Sequence, residues 1–135
     1  MLVNLEGDAH DSSSCRLTYD DARHWLRATW SGFVDPLEAR RGAEAYLAYA
    51  AQHASPYLLN DNSQLRGPWF DSLDWLGDIW VPQAQALGLR YVAHVVQADR
   101  PADILSSRLL AAVPFELQIF HQVGDAEHWL LQCQG

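Results

Sequence analysis

The chain has 135 residues, 49% of them hydrophobic, with six tryptophans, which bounds it to a single domain with a normal core and excludes a disordered or low-complexity chain. Its net charge is −8, and all nine basic residues are arginines scattered without a cluster, so composition argues against a nucleic-acid groove or an anionic membrane surface. Cys15 and Cys133 are too far apart in sequence for a zinc motif or a disulfide scaffold, and are read as free buried thiols.

In chain order, residues 1 to 13 mix charge, Gly7 and serines and are read as a poorly ordered lead, with Leu2 to Leu5 as an alternative edge strand. This start is acidic where a signal peptide is basic, and no apolar run approaches the roughly 18 residues of a membrane span, so the expected location is the cytoplasm. From residue 14 onward the chain is read as one domain. Cys15 to Tyr19 and His24 to Trp30 alternate around Asp20-Asp21-Ala22-Arg23, the pattern of an antiparallel hairpin. Asp35-Pro36-Leu37-Glu38 is a helix start, with a cap, a proline at the first helical position and an acid three residues after the cap. That helix places Ala39, Gly42, Ala43, Tyr46 and Ala50 on one face and should fade before Pro56.

Tyr57-Leu58-Leu59 begins the next strand, and Asp61-Asn62-Ser63 through Arg66-Gly67-Pro68 reads as loop chemistry. A second helix then sets Trp69, Leu73, Leu76, Trp80, Ala84 and Leu87 toward a core and Asp71, Asp74, Asp78 and Gln85 toward solvent. Trp75 and Ile79 project beside the aspartates, next to Pro82, whose missing donor costs about 3 kcal/mol within a helix. Gly88 supplies a left-handed cap, and Leu89 to Val96 is a near-continuous apolar strand of the kind covered on both faces. Pro101 to Ala111 suits a short helix and Phe115 to Phe120 a further strand. The last helix puts Ala126, Trp129, Leu130 and Cys133 on one face. A hairpin followed by alternating helices and strands predicts an α/β fold: a mainly parallel sheet of about five strands, with an N-terminal antiparallel hairpin, covered by about four helices.

These residues resemble the SpoIIAA-like branch of the STAS and SEC14 superfamily. The pattern is Trp30-Ser31-Gly32 closing the second strand, Leu58 to Asp61 ending the third, and Trp75 with Trp80-Val81-Pro82 on the long helix. It continues in Gly88-Leu89-Arg90-Tyr91-Val92-Ala93, Phe120 and Ala126-Glu127-His128-Trp129-Leu130. The resemblance spans about residues 15 to 133. It implies a STAS-like fold and a non-enzymatic regulatory or interaction role of the kind ascribed to small bacterial proteins of that branch. In the anti-sigma-factor antagonists of this fold, a serine at the helix start after the third strand is phosphorylated. Ser63 is the near match here, although Asp61-Asn62-Ser63-Gln64-Leu65 lacks the paired serines and following glycine of that motif.

The residues offer two candidate surfaces. The first is a partner surface of Trp75, Ile79, Pro82, Asp71, Asp74 and Asp78, because an apolar patch with acidic edges suits a protein partner, a second copy of the chain included. The competing reading is that the helix bends at Pro82 and Trp75 is core. The second is a ligand or phospho-switch loop of Asp61, Asn62, Ser63, Arg66 and Trp69, at the carboxyl end of a parallel strand where α/β sheets bind ligands; an ordinary solvated loop is its alternative. The SEC14 side of the resemblance implies a small apolar or anionic ligand there. No catalytic residue, metal or cofactor is expected: HExxH, GxSxG and GxGxxG are absent, and His94 within VAHVV reads as a hydrogen-bonded core residue.

Overall fold

The computed structural model describes residues 2–6, 14–34, 36–66, 76–97 and 114–134. Among these, six strands form one sheet in the order β1-β2-β3-β4-β5-β6: Leu2–Glu6, Ser14–Asp20, Trp25–Gly32, Tyr57–Leu65, Tyr91–Val95 and Glu116–Phe120. β2 runs antiparallel to both of its neighbours, β1 and β3, and β3 to β6 are parallel. The α/β class, the hairpin and the parallel body are therefore as predicted, with one strand more than expected. The addition is β1, which pairs Leu2 with Thr18 through Glu6 with Ser14, so the stretch read as a poorly ordered lead contains the alternative edge strand. Residues 7–13 and the expected helix Pro101 to Ala111 lie outside the described residues.

The β2–β3 turn is built by Asp20, whose carboxylate accepts the amides of Ala22 and Arg23, each at 3.0 Å. His24 does not start the strand. It takes a left-handed φ of 64° and closes the turn, a conformation that a polar residue tolerates better than a β-branched one. The first helix, α1, spans Pro36–Gln52, with the small-residue stripe buried and Arg40, Arg41, Glu44 and Gln52 exposed. That stripe has a steric cause. A Cβ on Gly42 would lie 2.3 Å from Cη2 of Trp30, so only glycine lets the helix rest on this indole.

Pro82 is absorbed locally. Leu76–Trp80 forms a π-helical turn, and α2, Val81–Ala86, begins only afterwards, so the missing amide of Pro82 falls in a first turn where no intrahelical acceptor is lost. Trp80 locks this segment to α1: its indole Nε1 donates to the carbonyl of Ala43 at 2.9 Å, and its ring meets Tyr46 edge-on at 5.4 Å. Gly88 takes φ 102°, as a left-handed cap requires. The last helix, α3, spans Val123–Cys133 and buries Ala126 and Leu130.

Strand alternation sorts the core into two layers. Leu26, Ala28, Trp30, Leu58 and Val92 face α1 and α2, while Trp25, Leu59, Ala93 and Val95 face α3. Successive parallel strands step in one direction, so right-handed crossovers place their helices on one face, and α1 and α2 do share a face.

Candidate functional site

The expected loop at Asp61 to Gly67 is corrected by the structure: β4 runs through Leu65, so Asp61, Asn62 and Ser63 belong to a strand. Asparagine and aspartate are poor strand formers, and their partners, which lie on neighbouring strands, override that propensity. On the α3 side, Asp61 accepts Nη2 of Arg27 at 2.8 Å and the amide of Ser63 at 2.9 Å. On the α1 side, Oδ1 of Asn60 accepts the indole N–H of Trp30 at 2.9 Å. This fixes the amide of Asn60, whose Nδ2 donates to Nδ1 of His94 at 2.9 Å and to Oδ1 of Asn62 at 3.2 Å. Nδ1 of His94 is thus an acceptor, and its proton sits on Nε2. The relay ends at Nδ2 of Asn62, a buried donor with no acceptor among the described residues.

A bulge lies at the same place. Between Thr29 and Ser31 on β3, the facing strand advances from Asp61 to Gln64, one residue too many. The ladder to β5 stops at Asp61–Val95, and the side chain of Gln97 supplies the donors that β5 no longer provides, reaching the carbonyls of Ser63 at 2.9 Å and Leu65 at 2.8 Å. Ser63 is therefore held in a bulged strand rather than at a helix start, and the helix-dipole stabilisation that a phosphoserine gains at such a start is missing. Nor do the described parallel strands reverse their order, so the crevice that a switch point opens between diverging crossovers is absent among them.

Of the predicted partner surface, Asp78, Ile79 and Pro82 are exposed, Ile79 at 46%. Asp71, Asp74 and Trp75, like Trp69 of the second candidate site, lie outside the described residues. Arg66 follows β4, donates its amide to the carbonyl of Gly32 at 2.9 Å and stacks its guanidinium 5.4 Å from the ring centre of Phe33. This exposes a surface that sequence reasoning missed. Phe33 and Leu37, 53% and 56% exposed, are the most exposed large apolar side chains among the described residues, and they lie beside exposed Arg41 and Arg66. The overlooked signal was Leu37 lying off the small-residue stripe of α1, one turn before Arg41.

An open cleft of about 630 Å³ lies between the β2–β3 turn and α3. All of its charged side chains but Asp21 are engaged within the chain: Arg27 with Asp61, Arg23 with Glu127, and Asp20 with the turn amides. Among the described residues no group of three His, Cys, Asp or Glu side chains is placed to hold a metal ion, and no helix is long and apolar enough to cross a membrane. Both cysteines are free; burial pushes the Cys15 thiol up to about 12 and raises that of Cys133. No protein-family model matches the sequence, and no curated protein matches it.

Proposed function

We propose that the chain is a non-catalytic, SpoIIAA-like (STAS-like) interaction module of regulatory type, acting in the cytoplasm and binding a protein through the face of the π turn and α2. The observation that carries this reading is Ile79, a large apolar side chain at 46% exposure, flanked by exposed Asp78 and Pro82. The mixed sheet with a hairpin followed by parallel strands supports the fold half of the reading, and free Cys15 and Cys133 fit a reducing compartment. Affinity capture with the wild-type chain and with Ile79→Asp tests it. A protein retained by the first and lost by the second is expected, and identical recoveries overturn the reading.

A second reading, as a carrier of a small ligand, is favoured by the unmatched donor on Asn62. Its partner on that face is the uncharged amide of Asn60, so the ligand group that fits is an uncharged oxygen acceptor on an apolar body, because an unpaired anion there carries a large desolvation cost. Native mass spectrometry of the purified protein decides this point. An added mass that disappears in Asn62→Leu supports the carrier, and an unadorned chain in both removes it.

A further inference from the structure

We propose that β6 is a docking edge for a second copy of this chain: two β6 strands pair antiparallel about a two-fold axis at Gln118 and join two six-stranded sheets into one. The inference goes beyond the reading of the chain as an interaction module and uses a surface separate from Ile79.

Strand β6 is last in the sheet order, with β5 on one side and no strand on the other among the described residues. Its ladder fixes which backbone groups point away from the sheet. The amide of Glu116 donates to the carbonyl of Arg90, and the carbonyl of Phe120 accepts the amide of Val96, each at 2.9 Å, in an unbroken register from Tyr91–Glu116 to Val95–Phe120. Backbone groups alternate in direction along a strand, so Glu116, Gln118 and Phe120 face β5, while the N–H and C=O groups of Leu117 and Ile119 point outward. These four groups have no hydrogen-bond partner among the described residues. Edges protected against pairing carry a proline, a bulge or an inward-pointing charge. Glu116 to Phe120 has no proline and no bulge, and its one charge is its exposed first residue.

The edge is complementary to itself. In an antiparallel pair, residues that stand directly opposite exchange both of their N–H···O bonds. A two-fold at Gln118 sets Leu117 of each copy opposite Ile119 of the other, so all four outward groups are satisfied within β6, which no other two-fold register achieves. The side chains agree with this register. Leu117 and Ile119, half-buried in one copy, share a face of the sheet and cover each other across the pair. On the opposite face Glu116 stands across from half-buried Phe120, with the amides of Gln118 and Gln122 diagonal to it, so no like charges meet in a protein of net charge −8. The contact uses up the edge on both copies and therefore closes at two.

Gln118 is exposed in the single chain, so replacing it leaves the core untouched. Sedimentation of the full chain, with far-UV circular dichroism confirming that each variant is folded, should give twice the monomer mass for the wild type at about 100 μM. Gln118→Lys and Gln118→Glu each set like charges face to face on the axis and should each weaken the pair about tenfold, and an equimolar mixture of the two should restore it. The register is read by cross-linking in a Cys133→Ser background. Gln118 faces its own counterpart with Cα atoms about 4.5 Å apart, within disulfide range, so Gln118→Cys should form an intermolecular disulfide under mild oxidation. Glu116→Cys, displaced along the strand from its counterpart, should not. A wild-type monomer, charge variants that pair as tightly as wild type, cross-linking at Glu116→Cys as fast as at Gln118→Cys, or masses that grow beyond two copies overturn the proposal.

Discussion

Gly42→Ala sets two physical effects against each other in a way the structure can weigh. In an exposed helix interior, alanine in place of glycine is worth about 1 kcal/mol of stabilisation. Here the new Cβ would stand 2.3 Å from Cη2, 3.0 Å from Cζ3 and 3.1 Å from Cζ2 of Trp30, and this rigid ring is not the end of a flexible chain that can swing aside. Overpacking of this kind costs about 1–3 kcal/mol. Moving the ring also strains its hydrogen bond to Asn60, worth about 1 kcal/mol. Net destabilisation is therefore about 1–3 kcal/mol. At about 2.1 cal/mol/K per residue over 135 residues, that lowers Tm by about 4–11 °C. Thermal melts followed by circular dichroism measure it, and Gly124→Ala, with nothing within 4 Å of the added Cβ, is the control that should melt no lower than wild type. A Gly42→Ala protein melting at or above wild type would refute the claim that the closeness of α1 to the sheet is set by this contact.

The relay in β4 makes a second prediction: Asn60→Leu removes a hydrogen-bond partner from the indole N–H of Trp30, Nδ1 of His94 and Oδ1 of Asn62 at once, and should lower the urea unfolding free energy by about 2–4 kcal/mol. A loss within about 0.5 kcal/mol would show the relay to be energetically idle. The thiols make a third. Alkylation at pH 8 should modify Cys133 first and reach Cys15 only on unfolding; equal rates refute it. Because burial raises Cys15 from 9.0 to about 12, its neutral form stabilises the fold fully below pH 9, and that contribution is lost as pH rises toward 12, by about 1.4 kcal/mol per unit. Burial raises Tyr46 in the same direction, so loss from that group begins above its ordinary value of 10.0. Urea titrations across this range should show stability falling with pH, and a flat profile would argue against both buried sites.

Much of the architecture was legible because its signals are local. Asp35-Pro36-Leu37-Glu38 announces a helix regardless of what it packs on, alternation around Asp20 to Arg23 announces a hairpin, and Gly88 before an apolar run announces a buried parallel strand. The polar half of β4 was not legible, because what keeps Asn60 to Ser63 in a strand lies thirty or more positions away in sequence. Arg27 on β3 answers Asp61, and Trp30 and His94 answer Asn60. Leu65, fully buried just after the polar run, was the one local hint that the strand continued.

The π turn explains both why the surface at Ile79 was readable and where that reading stops. From Ile79 onward, Ile79, Pro82, Gln83 and Ala86 are exposed while Val81 and Ala84 are buried, a spacing of i, i+3, i+4 and i+7 on the wet side that passes through Pro82 without a break. Uniform projection at about 100° per residue therefore holds across the proline, because the turn before it has already released the amide that a straight helix needs. A π turn accommodates an extra residue, which rotates the residues before it by roughly that same angle relative to the residues after it. Asp71, Asp74 and Trp75, which precede this turn, lie outside the described residues. The acidic and apolar character of the docking face consequently rests on Asp78 and Ile79 themselves, and this is why the substitution that tests the partner surface is placed at Ile79.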